Sequence, residues 1–198
     1  SVLNPLLVSI IFVIAVIKIF HIDYETYNSG AKYISYLLTP ATVCLAIPLY
    51  RQISVLKEHA KEVFIGILAG VLASMGSILL MSYLFGLTHE QYVTLLPKSI
   101  TTAIGMGVSE ELGGIQTITV AVIIITGVLG NIIAEAVLKI FRIKEPVAKG
   151  LAIGTASHAI GTTKALEIGE IEGAMSSLSV AVAGLMTVIS ASIFANMM

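Results

Sequence analysis

Apolar runs of about twenty residues, the length needed to cross a hydrocarbon core of ~30 Å, recur along this chain. They fall at 6–20, 33–50, 63–85, 115–141 and 174–194, the first short for a full crossing unless extended through Leu3. Lipid offers no hydrogen bonds to a backbone, so each run has to be helical. A soluble bundle would need a polar surface that 57% hydrophobic and 12% charged residues do not supply. The fold class predicted is therefore an all-α polytopic membrane protein, with residues 1–198 forming one transmembrane domain whose first partner is the lipid bilayer.

Several function classes drop out. The formal net charge is −1 and no basic stripe alternates with aromatic residues, so no nucleic-acid partner is expected. The one cysteine, Cys44, sits in an apolar run and forms no internal disulfide. No metalloprotease, nucleophile-elbow, phosphate-loop or paired-cysteine motif occurs, so the chain reads as a non-enzyme without a cofactor. The four histidines at 21, 59, 89 and 158 do not have metal-ligand spacing. With no Trp, any aromatic belt at the membrane surface must come from Tyr and Phe. The opening Ser-Val-Leu-Asn-Pro carries no basic region and is not a signal peptide.

Between the runs, 21–30 is polar and reads as a loop, and Pro40 should kink the second run near its start. Residues 51–62 form a charged linker. In the third run Gly66 and Gly70 form a small-xxx-small pair that permits close helix packing.

Two stretches are unusual. Residues 95–114 carry Pro97, Lys98, Ser99, Thr101, Thr102, four glycines and the pair Glu110 and Glu111. A similar series recurs roughly sixty positions on, as expected of an internal repeat, with Ser157, His158, Thr162, Thr163 and Lys164 followed by Glu170 and Glu172. Each precedes a long apolar run, which delimits repeat unit A at 95–141 and unit B at 150–198, behind N-terminal helices at 1–85. Seven of the eleven basic residues lie in the linkers around 51–61 and 139–149, which places both linkers in the cytoplasm. The first unusual stretch then begins and ends outside, as a re-entrant hairpin would, and the second is its inverted counterpart. The competing reading makes each a complete but broken crossing. Either gives a transporter-like, inverted-repeat architecture with helix breaks expected at Asn4, Pro5, Pro40, Pro97, Gly105, Gly154 and Gly161.

Broken helices expose backbone N–H groups that suit an anion. Lys98, Ser99, Thr101 and Thr102 from one break, and Ser157, His158, Thr162 and Thr163 from the other, are the candidate contacts for a small organic anion. A snorkelling Lys98 and a hydrogen-bonded core His158 are the plainer readings. His158 also has the chemistry to couple movement of an anion to a proton. Glu135, four residues from Lys139, reads as a helix-surface ion pair. The small-residue faces permit a homodimer.

Leu3-Asn4-Pro5-Leu6-Leu7, Leu96-Pro97-Lys98-Ser99-Ile100-Thr101-Thr102 and Gly154-Thr155-Ala156-Ser157-His158-Ala159-Ile160-Gly161-Thr162 together resemble the LrgB/CidB family over essentially the whole chain. Ala103 stands where relatives often have Pro, which bears on the first break and leaves the hydroxyl pair intact. The resemblance implies a multi-pass protein of the bacterial cell membrane, with one more helix upstream of the Asn-Pro motif. It implies two functional accounts. One is transport of small monocarboxylates: bacterial members are linked to pyruvate, and a plastid relative carries glycolate and glycerate. The other is a holin-like or antiholin-like protein that modulates murein hydrolase activity and lysis beside a small LrgA/CidA-type membrane partner. Matched polar breaks favour transport, because a lesion-forming protein needs little internal architecture.

Overall fold

The computed structural model describes residues 5–37, 40, 43, 44 and 46–198. Asn4 lies outside them, as do 38, 39, 41 and 42, the neighbours of Pro40 where the second run is expected to kink. The described residues are all-α: α1 Pro5–Ile19, α2 Tyr24–Ser35, α3 Ala46–Arg51, α4 Ile53–Glu58, α5 Ala60–Phe85, α6 His89–Leu95, α7 Thr102–Glu111, α8 Gln116–Ile140, α9 Pro146–Ile168 and α10 Glu170–Ala195. They divide into two compact units, Ser1–Ile47 and Pro48–Met198.

The first unit holds α1, which starts at Pro5, and α2. Of the predicted loop at 21–30, residues 21–23 are non-helical, and from Tyr24 on it is instead the start of α2. Asp23 accepts a hydrogen bond from the Glu25 N–H at 3.0 Å, and Glu25 and Lys32 lie at the ends whose partial charges they oppose. A polar stretch with a good cap is still a helix. The charged linker at 51–62 is likewise mostly helical, through α4 and the start of α5.

In the second unit α5, α8 and α10 are long and apolar enough to cross a membrane. Their outward faces are apolar, with Leu84 69%, Ile125 55% and Leu185 63% exposed, which suits a surface in contact with lipid. Val63, Ile67, Val71 and Met75 recur every fourth residue along α5 and form its buried stripe. That stripe packs against α9 and α10, and Gly66 and Gly70 bring α9 close. A Cβ on Gly70 would lie 2.6 Å from Thr155 Cγ2, and one on Gly66 3.3 Å from Leu151 Cδ1.

The ends of this unit are well defined. At one end Gly86 closes α5 in the left-handed conformation (φ 63°), and Thr88 and Gln91 form a reciprocal capping box for α6. Tyr92 Oη donates to the Phe194 carbonyl at 2.8 Å, and Tyr83 Oη to that of Met197, which fastens the end of α10 there. Thr119 Oγ1 joins Ser109 Oγ (2.7 Å) to the Thr94 carbonyl (2.9 Å), so α6, α7 and the start of α8 meet at the same end. At the opposite end Lys149 pairs with Glu172, and Leu138 and Ile168 belong to one apolar cluster. Lys139, Arg142, Lys144 and Lys149 gather there, and the positive-inside rule assigns that end to the cytoplasm.

Candidate functional site

The connection from α6 to α7 carries Pro97, Lys98, Ser99 and Thr101. Its backbone turns tightly, with the Lys98 N–H on the Leu95 carbonyl and the Ile100 N–H on that of Pro97. Pro97 and Ile100 are buried. Lys98 Nζ donates to Ser99 Oγ at 2.9 Å and to Ser74 Oγ at 3.3 Å, and the two hydroxyls are 3.0 Å apart. Among the described residues Lys98 forms no ion pair. Thr101 is the N-cap of α7 without a side-chain cap bond, and both Thr101 and Thr102 are half-buried.

Ser74 is a partner that sequence reasoning missed. It lies one turn beyond Gly70 in α5, where the sequence reading used only the packing pair Gly66 and Gly70. The signal was its place near the middle of a membrane helix, where a hydroxyl needs a partner.

Lys98 and Ser99 line a cavity of about 710 Å³. Gly70, Ser74 and Ser77 of α5 form another part of its wall, and Leu151, Thr155 and Ala156 of α9 a third. His59, Glu62 and Glu145 line it too. The Thr155 hydroxyl is buried and makes no hydrogen bond within the protein.

The second break falls on His158, whose φ of 42° and ψ of −145° interrupt α9. Three features hold it. Its Nε2 lies 3.0 Å from the Ile123 carbonyl, and since a carbonyl only accepts, Nε2 carries the proton. Thr162 Oγ1 donates to the His158 carbonyl at 3.0 Å and receives a hydrogen bond from Ser176 at 2.8 Å. Gly127 leaves room for the ring, since a Cβ there would be 2.7 Å from His158 Cε1. Thr163 Oγ1 donates to the Ile160 carbonyl and accepts from Asn131 Nδ2 at 2.9 Å.

The sequence-predicted residues thus form two groups. Lys98 and Ser99 face the cavity, while Thr101 and Thr102, at the start of α7, are not part of its wall. Ser157, His158 and Thr162 are buried around the second break, Thr163 bonds to α8, and none of the four lines the cavity wall. Gly105, Gly154 and Gly161, expected as breaks, lie within helical stretches of α7 and α9. They serve close contact instead: a Cβ would overlap Ile123 at Gly105, Ser176 at Gly154 and, at 2.5 Å, Ser157 Cβ at Gly161. Glu135 pairs with Lys164 of α9 at 2.6 Å, not with Lys139, because the second arm of α9 runs beside α8. Glu110 and Glu111 are exposed. Among the described residues no cluster of His, Cys, Asp or Glu has the makings of a metal site.

Comparison with known proteins bears on what such a molecule does. The LrgB-like family matches residues 1–197. Proteins named antiholin-like protein LrgB from Bacillus mycoides (strain KBAB4), Bacillus cereus (strain B4264) and Bacillus anthracis (strain CDC 684 / NRRL 3495) are each 39% identical to the chain over 186 residues, which is 94% of this chain and 81% of theirs. No solved structure matches. These names overturn the expectation of monocarboxylate transport. Relatives at this identity and coverage are named as antiholin-like proteins, and the second set of hydroxyls is engaged inside the protein. The chain is a multi-pass protein of the bacterial cell membrane and not an enzyme. A family match over 197 residues, with relatives at 39% identity across nearly the whole length, places the chain in the LrgB-like family.

Proposed function

We propose that the chain is an antiholin-like membrane regulator that modulates murein hydrolase activity and lysis. The observation that carries this reading is 39% identity over 94% of the chain to proteins named antiholin-like protein LrgB. The long apolar helices of the second unit are compatible with it. In a bacterial host lacking its own members of the family, induced expression should slow detergent-triggered autolysis and weaken the cell-wall hydrolase bands on zymograms of the medium. Unchanged lysis and unchanged bands, at verified membrane abundance, would falsify the reading.

The finer architecture belongs to the same proposal. Units A (95–141) and B (150–198) are inverted repeats whose broken segments are re-entrant hairpins, within one transmembrane domain. Support comes from the contacts of α9. Lys149 in its first arm meets Glu172, and Ile168 at the end of its second arm clusters near Leu138, both at the basic end. Its tip, His158, reaches Ile123 in the first half of α8. In the other unit Thr94 and Ser109, from the two arms around Pro97, both meet Thr119 at the opposite end.

The working residues proposed are Lys98, Ser99, Thr101 and Thr102 at the first tip and Ser157, His158, Thr162 and Thr163 at the second. Lys98 and Ser99 would contact a small anion in the cavity as a regulatory ligand, and the second set holds the opposing tip. A homodimer, and a small LrgA/CidA-type membrane protein, are the proposed assembly partners.

A further inference from the structure

The cytoplasmic end of the second unit carries another cavity, of about 560 Å³, which the regulatory reading does not use. Its lining combines Leu138, Ile143 and Ile168 with Lys139, Arg142, Lys144 and Lys149, and Glu135 is its sole carboxylate. That carboxylate is engaged by Lys164 at 2.6 Å, and Lys149 lies 3.5 Å from Glu172. Lys139 is in the last turn of α8, where a cation opposes the helix dipole. Arg142 and Lys144 lie past that turn and form no ion pair among the described residues. Glu145, the next carboxylate along the chain, faces the other cavity.

Arg142 is also held in an uncommon backbone conformation. It follows the C-cap Phe141 of α8 with φ 54°, and the Ile143 N–H bonds to the Leu138 carbonyl at 2.9 Å. This is the helix-ending arrangement that normally selects Gly, because a left-handed residue with a Cβ is strained. An Arg at this position gives up the easier backbone and supplies a guanidinium at the rim of the cavity.

The surroundings indicate which anion fits. Ile140 and Phe141, 74% and 72% exposed, lie in the chain between the lining residues Lys139 and Arg142, so exposed apolar side chains adjoin the cavity. A lining that is part apolar and part basic suits a molecule that is itself half apolar and half anionic. A phosphate group is the shared chemistry of a lipid headgroup and a soluble phosphate ester, and the apolar lining residues favour the lipid. We infer that this cavity binds the phosphate headgroup of an anionic phospholipid of the cytoplasmic leaflet, with Arg142 and Lys144 as its main cationic contacts.

The test uses the full chain purified in a neutral detergent and titrated with phosphatidylglycerol, phosphatidylcholine or glycerol phosphate. Bound lipid is read by native mass spectrometry. Phosphatidylglycerol should bind, and the other two should not bind measurably over the same range. Each cation contributes roughly fivefold in affinity near a membrane surface, so Arg142→Gly with Lys144→Gln should weaken binding on the order of twentyfold. Gly suits the backbone at 142, so this loss has no origin in unfolding, and a thermal transition no lower than the parent's would verify that. Lys61→Gln, a basic change outside the cavity, should leave binding unaltered. Equal binding of phosphatidylcholine, binding of glycerol phosphate alone, full binding by the double variant, or an equal loss in Lys61→Gln would each overturn the inference.

Discussion

Ser157 occupies space that Gly130 leaves open: a Cβ on residue 130 would overlap Ser157 Oγ and lie 2.5 Å from its Cβ. Gly130 sits near the middle of α8, and Ser157 immediately precedes the interruption of α9. Overpacking a dense interior typically costs about 1–3 kcal/mol. Gly130→Ala should therefore destabilise the purified protein by an amount in that range and lower its thermal transition. Shortening the hydroxyl alone does not relieve the overlap, because Ser157 Cβ is part of it. Gly130→Ala combined with Ser157→Gly should recover part of the loss, measured as a positive coupling in a double-mutant cycle. Strict additivity of the two changes would show that the contact is absent.

His158 provides a sharper prediction because two effects oppose each other. In an ordinary helix interior Ala is more stable than Gly by about 1 kcal/mol. At φ 42° that order should reverse, since a non-glycine residue held there carries roughly 1–3 kcal/mol of strain. Both His158→Ala and His158→Gly lose the hydrogen bond to the Ile123 carbonyl, so both should be less stable than the parent. The glycine variant should nonetheless unfold at the higher temperature of the two. If alanine is the better tolerated, the helix is continuous through 158.

These two pairs show what a sequence reading reaches and what it does not. The crossings α5, α8 and α10 are legible because an apolar run of this length has one stable conformation in lipid, and Gly86 ends the first of them as a C-terminal glycine should. Glycine is a poor guide to the interruption of α9. Gly154 and Gly161 remain helical because their missing Cβ atoms are used for contact with Ser176 and Ser157. The interruption falls on His158, whose conformation is set by Ile123, Gly127 and Ser176 on other helices, and no local pattern encodes that. Lys98 is legible as a cation in an apolar setting. Its contact with Ser74 is not, since it joins the connection before α7 to a residue of α5 that is 24 positions away in the chain. The helix at Tyr24 was concealed by polar composition, although Asp23 two residues before Glu25 is a readable cap signal.

Lys98 tests the cavity's part in the proposed regulation. Its ammonium makes hydrogen bonds to two hydroxyls and forms no ion pair among the described residues. Lys98→Met keeps the aliphatic stem and removes the charge. The variant should reach the membrane at normal abundance with normal helicity, and should lose most of its slowing of autolysis. Parent-like lysis in cells carrying this variant would remove the cavity from the mechanism and leave the family reading intact.

The hairpin proposal has a direct topological consequence. If both arms of α9 return to the basic end, the residues before and after them are on one face of the membrane. With Cys44 replaced by Ser, single cysteines at Lys144 and Glu170 should react with an impermeant maleimide only in inside-out vesicles. Cysteines at Gly86 and Glu111 should react only in right-side-out cells, because the arms around Pro97 meet the start of α8 at the opposite end. A complete broken crossing in place of a hairpin changes the parity. Positions 144 and 170 would then label from opposite sides, and so would 86 and 111. The salt bridge between Lys149 and Glu172, 3.5 Å from Nζ to Oε1, joins the first arm of α9 to the start of α10. Labelling of 144 and 170 from different faces would therefore contradict that contact as well as the inverted-repeat proposal.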